Sequence, residues 1–448
     1  MDTNVRIDET NVAIIGGGIT GTVAATTLAK LLPGARITLF DQGRGLGGRA
    51  SHRRVHDGNV VAPTANAAMA FDHGCQFFRA DDDEFRDKIL DPWLEAGLAA
   101  EWRGTFAGAG DFFGLGGAGA GGPVYVGKDG MHQVTAGAVE RLERDHPNFV
   151  ARRGVRVGAV ARAGDRWALS GVGGEAAIHD STLTSAEVEA ARAAAALGEW
   201  YDAVIVTDAS AAQESWHRAS AGIPEAFLAI AHRVQDRVRV AMFTAIVAFD
   251  EPVPVDYDAS AFEGAGALWF AARTNSKPGC ETLEKECWTL VSTPAWAAAE
   301  VERVPMRDAA GAFIAQSKEC LEAPAHALLA AFAAEVGKLL PAHSYLYAQR
   351  WGSAFPAPLT HGRDADGRSA AVRESGGTAF DASPTGQFAG LGGGGGADSG
   401  GGGSASDFVY GYPGFYYAGD FCSPRPPGVV AAALSGRHAA EACARRLR

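Results

Sequence analysis

The stretch that most limits what this chain can fold into runs from Asn11 to Asp41, NVAIIGGGITGTVAATTLAKLLPGARITLFD. Val12 to Ile15 is apolar at every position and reads as a buried strand. Gly16, Gly18 and Gly21 give the G-x-G-x-x-G spacing, and a helix is expected from about Ile19 to Leu32. A second strand, Arg36 to Phe40, ends on Asp41, twenty residues after Gly21. Gly16 permits the tight strand-to-helix turn. Gly18 lacks a Cβ, so a pyrophosphate can approach the backbone, and Gly21 lets the helix pack close to the sheet. The first-turn amides, at Ile19 and Thr20, and the positive end of the helix dipole face the phosphates. Asp41, followed by Gln42, can accept hydrogen bonds from both ribose hydroxyls. In a chain with 58 glycines the spacing alone is weak. Strand, turn, helix, strand and acid together point to a dinucleotide site, against a ligand-free βαβ unit.

The chain has 448 residues, enough for two or three domains, and 47% of them are apolar, so a sizeable core can form. A net charge of −12 argues against nucleic acid and against an anionic membrane surface. No apolar run is long enough for a membrane span. The polar start, MDTNVRIDET, leaves no room for a signal peptide, so the expected compartment is the cytosol. The six cysteines show neither a C-x-x-C pair nor metal-ligand spacing, so reduced thiols and no metal are expected.

Further along, Gly43 to Arg54 holds Gly48 and Arg49, a natural bidentate phosphate partner or else a basic surface residue. Asp81 to Leu98 has helical periodicity, with Phe85, Ile89, Trp93 and Leu94 on one face. Val150 to Ser170 alternates as a strand, and Tyr201 to Asp208 reads as a buried parallel strand. Arg237 to Phe249, Gly266 to Arg273 and Glu286 to Pro294 read as sheet strands, and Ala325 to Leu340 as an amphipathic helix. Glu175 to Glu199 is expected to be an insertion with a helix. Arg363 to Ser406, rich in glycine, is expected to be a flexible insertion. Phe415 to Ala418 predicts a strand ending in Gly419-Asp420, and Gly428 starts a helix of small residues.

The glycine fingerprint, the acidic strand end and Gly47-Gly48-Arg49 resemble the N-terminal signature of glutathione-reductase-type FAD enzymes, in particular the amine oxidase and renalase branch. Phe71 to Phe78, FDHGCQFF, is similar to the D-x-G-A-Q-Y-F phrase that runs beside the flavin in renalase-like proteins. Gly414 to Arg437 resembles the C-terminal flavin signature of the amine oxidase superfamily. The resemblance implies one FAD. Gly74, Met131, Val157, Gly419, Asp420 and Gly428 would join the fingerprint residues around it, with Asp420 accepting from a ribityl hydroxyl. The amides of Val429 and Val430 would face the flavin N1–C2 edge. Met131 as ordinary core is the competing reading. Gln76 would face substrate and His73 would serve as a base or a structural histidine. Lys277 would lie near the flavin or a pyridine nucleotide, or else in a solvated turn. Trp351 would wall the cavity or belong to the core.

The implied fold is α/β, a Rossmann FAD-binding domain with a discontinuous α+β substrate domain on an antiparallel sheet. The FAD-binding domain is expected over 9–80, 125–209 and 408–448, the substrate domain over 81–124 and 210–362, and the insertion over 363–407. The implied activity is a renalase-like oxidoreductase. Hydride passes from a reduced, isomeric pyridine nucleotide to flavin N5, and O2 reoxidises the flavin with release of H2O2. Oxidation of a small amine, or FAD binding without turnover, are the alternatives.

Overall fold

The computed structural model describes residues 10–56, 58–61, 67–115, 122–171, 196–198, 200–208, 214–223, 240–263, 266–305, 317–355, 408–412, 414–423 and 425–448. The expected insertions at Glu175 to Glu199 and Arg363 to Ser406 lie almost wholly outside these residues. The chain forms two compact units, one built from residues 1–48, 135–237 and 381–448, the other from 49–134 and 238–380.

The first unit is a Rossmann-like layer. Its six-stranded sheet has the order β18-β19-β12-β1-β2-β9. Here β1 is Asn11–Ile15, β2 Arg36–Asp41, β9 Phe149–Arg153, β12 Ala203–Val206, β18 Phe408–Tyr412 and β19 Phe415–Ala418. All pairings are parallel except the terminal β18–β19 hairpin. Strands covered on both faces read as unbroken apolar runs, as in VAII and AVIV. Side chains alternate between faces. Val12, Ile14, Ile37, Leu39, Ile205 and Tyr416 share one core cluster with helices α1 (Ile19–Leu31), α2 (Ala136–Asp145) and α6 (Val429–Leu447). On the other face Trp167 packs on Phe415, their ring centroids 5.0 Å apart. Trp167 belongs to an antiparallel hairpin, β10 (Val157–Ala163) with β11 (Arg166–Gly171). The alternation read over Val150 to Ser170 is thus two structures. Gly154, at φ +70°, ends β9 before β10 begins.

The second unit is built on a six-stranded sheet of order β17-β13-β16-β15-β14-β7. Its strands are β7 (Phe106–Ala107), β13 (Val240–Phe249), β14 (Ala259–Ala261), β15 (Leu268–Arg273), β16 (Glu286–Ser292) and β17 (His343–Phe355). Only β14–β7 is parallel. Phe243, Ala245, Val247, Trp288 and Leu290 pack with α4 (Pro294–Arg303) and α5 (Lys318–Val336). Ile246, Ala248 and Cys287, on the opposite face, pack with Val55, Met69 and Phe71. Those three come from a small sheet of β3 (His52–His56), β4 (Asn59–Val61) and β5 (Met69–Asp72). A further pair, β6 (Ala99–Glu101) with β8 (Tyr125–Gly127), completes the unit. Outside both sheets, α3 (Glu214–Ala219) sits in the first unit.

Three sequence boundaries are corrected. Residues 49–80 and 125–134 fall in the second unit rather than with the nucleotide fingerprint, because β3 and β5 bury their apolar faces on β13 and β16. The helix expected from Ala325 begins at Lys318, where Ser317 Oγ accepts from the Cys320 amide, and stops at Gly337 in a left-handed conformation. The Asp81 to Leu98 helix is interrupted by a π turn, Arg86–Leu90. Pro92, with no N–H to donate, follows it at the start of Asp91–Glu95.

Candidate functional site

In the first unit the glycine turn divides into glycines that packing demands and one that it does not. Gly16 has φ +108°, and a Cβ there would lie 2.6 Å from Thr207 Oγ1. Thr207 donates from that oxygen to the Ile15 and Gly16 carbonyls, at 2.9 and 3.0 Å. A Cβ on Gly21 would sit 1.9 Å from the Gly16 carbonyl oxygen. Gly17, which the G-x-G-x-x-G spacing passes over, is equally constrained, since its Cβ would meet Leu46 Cδ2 at 2.4 Å. Gly18 differs. It is the extended N-cap of α1, and the nearest atom to a Cβ there is the Gly47 oxygen at 3.9 Å. No side chain caps α1 and no acid lies in its first turn. The first-turn amides therefore open onto space bounded by Gly18 and by Gly47-Gly48, held there by the Gly47 amide donating to the Gly17 carbonyl at 3.0 Å.

Asp41 closes this turn. Its two oxygens accept from the Gly17 and Gly43 amides, each at 2.6 Å, which leaves a second lone pair on each oxygen. Burial raises its pKa, against the two amide bonds, and Asp208 adds to the rise. Gln42 is exposed and donates to Asp208 at 3.4 Å. Ile19 is half-buried, Thr20 and Val157 are buried, and the Val157 carbonyl accepts from Trp216 at 3.2 Å.

The C-terminal segment belongs to the same unit. The Gly419 amide donates to Ser435 Oγ at 2.8 Å, pinning the end of β19 to α6. Asp420 is buried. Gly428 has φ +148° with open space at its Cβ, and α6 starts at Val429-Val430 with neither a side-chain cap nor an acid in its first turn. A Cβ on Gly436 would lie 2.2 Å from the Thr20 carbonyl oxygen. The sequence-predicted residues of the two terminal motifs, Arg49 excepted, therefore share one unit, and α1 and α6 meet at a seam only glycine allows.

The second unit gathers the other candidates around a residue that sequence reasoning passed over, Asp72 at the end of β5. It is wholly buried. One carboxylate oxygen accepts from His52 Nδ1 and from the Met131 amide, both at 2.8 Å, and the other accepts from Lys277 Nζ at 2.8 Å. Burial alone would raise this carboxyl; the Lys277 ammonium and His52 outweigh it and hold it well below the ordinary carboxylate range. Lys277 is 2% exposed, which excludes the solvated-turn reading. Its ammonium also donates to the Gln76 carbonyl at 2.9 Å, with Gln76 Oε1 at 3.5 Å, and lies 5.2 Å from the Trp102 ring centroid. Gln76 donates to the Asp72 and Gly74 carbonyls at 2.5 and 2.9 Å. Met131 is fully buried beside Asp72. His52 stacks on His132 at 5.0 Å, and burial, then His52, pushes the His132 pKa down to about 4.

The next residue, His73, faces a different wall. Its carbonyl accepts from Thr244 Oγ1 at 2.9 Å and Trp351 Nε1 at 2.8 Å, and its ring stacks on the Trp351 indole at 5.5 Å. Burial, then Arg53 and His52, pushes the His73 pKa down to about 3. Gly74 fits between Arg49 and Trp351, where a Cβ would lie 2.1 Å from the Arg49 carbonyl oxygen. Burial pushes the Cys75 thiol up to about 11. Arg49 belongs to this unit, and its guanidinium donates to the Ala354 carbonyl at 3.3 Å. The missed network has one trace in the sequence, an acid closing the apolar run MAF, but its partners lie up to 217 positions away.

A family model described as an NAD(P)-binding Rossmann-like domain matches residues 14–91. Among solved structures, the chain is similar to a protein from Exiguobacterium sp. 255-15 named provisionally as a protoporphyrinogen oxidase. Identity is 13% and the TM-score 0.56, over 97% of this chain and 99% of that one. A putrescine oxidase bound to putrescine matches at 12% identity and TM-score 0.52, over 97% and 98% of the two chains. A CLA-producing fatty acid isomerase from P. acnes matches at 10% identity and TM-score 0.51, over 96% and 97%. At these identities the likeness establishes the fold.

Proposed function

We propose that this chain is an FAD-dependent oxidoreductase that takes hydride from a reduced pyridine nucleotide. The observation that carries the cofactor is Gly18, a glycine that no contact among the described residues requires, at an uncapped helix start beside a buried acid. The residues present fit FAD. The α1 amides receive the pyrophosphate, Asp41 keeps lone pairs for ribose hydroxyls, and Asp420 and the Val429 and Val430 amides serve the flavin half. Arg49 is assigned to phosphate by resemblance alone. Bound there, FAD would accept two electrons and pass them to O2, giving H2O2. The protein's task is then to orient the donor and exclude water. Lys277 and Gln76 spend their hydrogen-bonding capacity on Asp72 and its neighbours, so they position the Asp72–Phe78 segment, and His73 and Trp351 are the residues left for substrate.

The fold shared with a putrescine oxidase favours amine oxidation as a second reading. Against it, the positive charge of Arg53 bears on His73 more strongly than the negative charge of Asp72, which disfavours an ammonium there. The test is to purify the protein and mix it anaerobically with α-NADH, β-NADH or putrescine while following flavin absorbance. Bleaching by a pyridine nucleotide is expected. Bleaching by putrescine alone would move the substrate to amines. A colourless protein that takes up no FAD would refute the enzyme.

A further inference from the structure

Within the phrase Asp72 to Gln76, every polar side chain but one is committed. Asp72 has three donors, and the Gln76 amide donates to two carbonyls and approaches Lys277. Cys75 donates its thiol to the Phe77 carbonyl at 3.2 Å. The exception is the His73 imidazole. Only its backbone carbonyl is engaged; among the described residues neither ring nitrogen has a hydrogen-bond partner, and Nδ1 is wholly buried. The ring is nonetheless fixed, 9% exposed and stacked on Trp351 at an interplanar angle of 21°.

Its protonation follows from its neighbours. Burial, Arg53 and His52 keep the ring neutral at physiological pH. Arg53 is itself held in place, donating to Gln349 Oε1 at 3.3 Å with its guanidinium 4.4 Å from the Tyr347 ring centroid. A neutral imidazole has one N–H and one lone pair. A buried N–H without an acceptor is the costlier orphan, so the lone pair belongs on Nδ1 and the proton on Nε2. A rigid, buried, neutral donor that the protein does not use suits a ligand with an uncharged acceptor.

We infer that His73 is a specificity-determining residue whose Nε2–H donates to an uncharged carbonyl oxygen on the hydride donor, such as the carboxamide of a dihydronicotinamide, with Trp351 backing the imidazole. This rests on the pyridine-nucleotide reading above and names the group that recognises the donor's head. Arg53 adds selection, since an ammonium head would meet a fixed positive charge.

The holoprotein is assayed with 1-benzyl-1,4-dihydronicotinamide, comparing wild type with His73→Phe, which keeps the stack, and His73→Gln, which keeps an N–H donor. His73→Phe is expected to retain full FAD content and to raise KM about tenfold, with kcat within about threefold, the loss of one neutral hydrogen bond. His73→Gln is expected to recover most of that loss, which a purely structural role would not produce. If His73→Phe does not fold, His73→Leu, which likewise has no N–H, carries the comparison and is expected to show the same rise in KM. A wild-type flavin that stays oxidised with this probe and also with α-NADH and β-NADH overturns the pyridine-nucleotide reading and this inference with it. A wild-type flavin that is reduced, with KM unchanged in the variants, overturns this inference alone. Loss of FAD from folded His73→Phe overturns it as well, by placing the ring in the cofactor site.

Discussion

Replacing Lys277 by Met isolates what the buried ion pair contributes. The substitution keeps much of the side-chain volume and removes the charge, leaving Asp72, 0% exposed, with the His52 ring and one backbone amide for its carboxylate. Breaking one partner of a buried pair strands the other in low dielectric, at a cost of about 3–5 kcal/mol. The two hydrogen bonds that Asp72 keeps place the loss near the lower end. Adding Asp72→Asn to Lys277→Met removes both charges and is expected to restore at least half of the loss, giving a coupling of about 2 kcal/mol or more in a double-mutant cycle. Urea denaturation of the four holoproteins at pH 7, followed by circular dichroism, gives the terms of the cycle. A Lys277→Met loss below about 1 kcal/mol, or a double variant as unstable as the sum of the singles, would refute the view that the ammonium neutralises Asp72.

The glycine classes predict opposite outcomes. Gly18→Val should cost the apoprotein no more than about 1 kcal/mol, the loss of a glycine N-cap, and abolish FAD binding, whereas Gly21→Ala, with its Cβ 1.9 Å from a carbonyl oxygen, should destabilise the protein more, with or without FAD; thermal melts with flavin titration separate the two. Gly436→Ala should open the α1–α6 seam, where the new Cβ would lie 2.2 Å from the Thr20 oxygen, and lower stability by about 2 kcal/mol or more, read in urea. Acid should destabilise the fold early. His73 and His132, with folded values of about 3 and 4, stay neutral while the unfolded chain takes up protons below about pH 6.5, so stability falls by up to about 1.4 kcal/mol per pH unit for each. Asp72, whose folded value is depressed, adds its loss only below about pH 4. Urea midpoints at pH 7 and pH 5 should therefore differ, and less so in His132→Phe; equal midpoints would show that the imidazoles are not held neutral.

The first unit was legible because its strands are apolar on both faces and its glycines carry local backbone demands. VAII, YDAVIVTD and FYYA are runs that a solvated strand would not sustain; β12 and β19 lie within the last two, and β1 adds only Asn11 to the first. Gly18 has open space where a Cβ would stand, while Gly17 was missed because its constraint comes from Leu46, a contact that no local spacing encodes. The Asp72 network was illegible for the same reason on a larger scale. Lys277 in a Ser-Lys-Pro-Gly context looks like an exposed turn, and only the pairing of residues 205 positions apart makes it a buried cation. The domain boundary failed at Arg49 because β3 and β5 are short and partly polar, so the sheet that claims them cannot be read from their composition.

The seam between α1 and α6 also sets an order of events during synthesis. The described strands of the second unit are all made by residue 355, but the first unit lacks β18, β19 and α6 until residues 408–447 emerge. Until then β12 has no neighbour on one side, and the surface of α1 around Thr20 stays bare. The growing chain therefore carries an early, apolar half-sheet through most of its translation, a species prone to pair with the wrong edge or to engage a chaperone. The nucleotide turn, though written within the first fifty residues and held locally by Asp41, Leu46 and Thr207, gains the helix that packs on α1 at Thr20 only from the far end of the sequence.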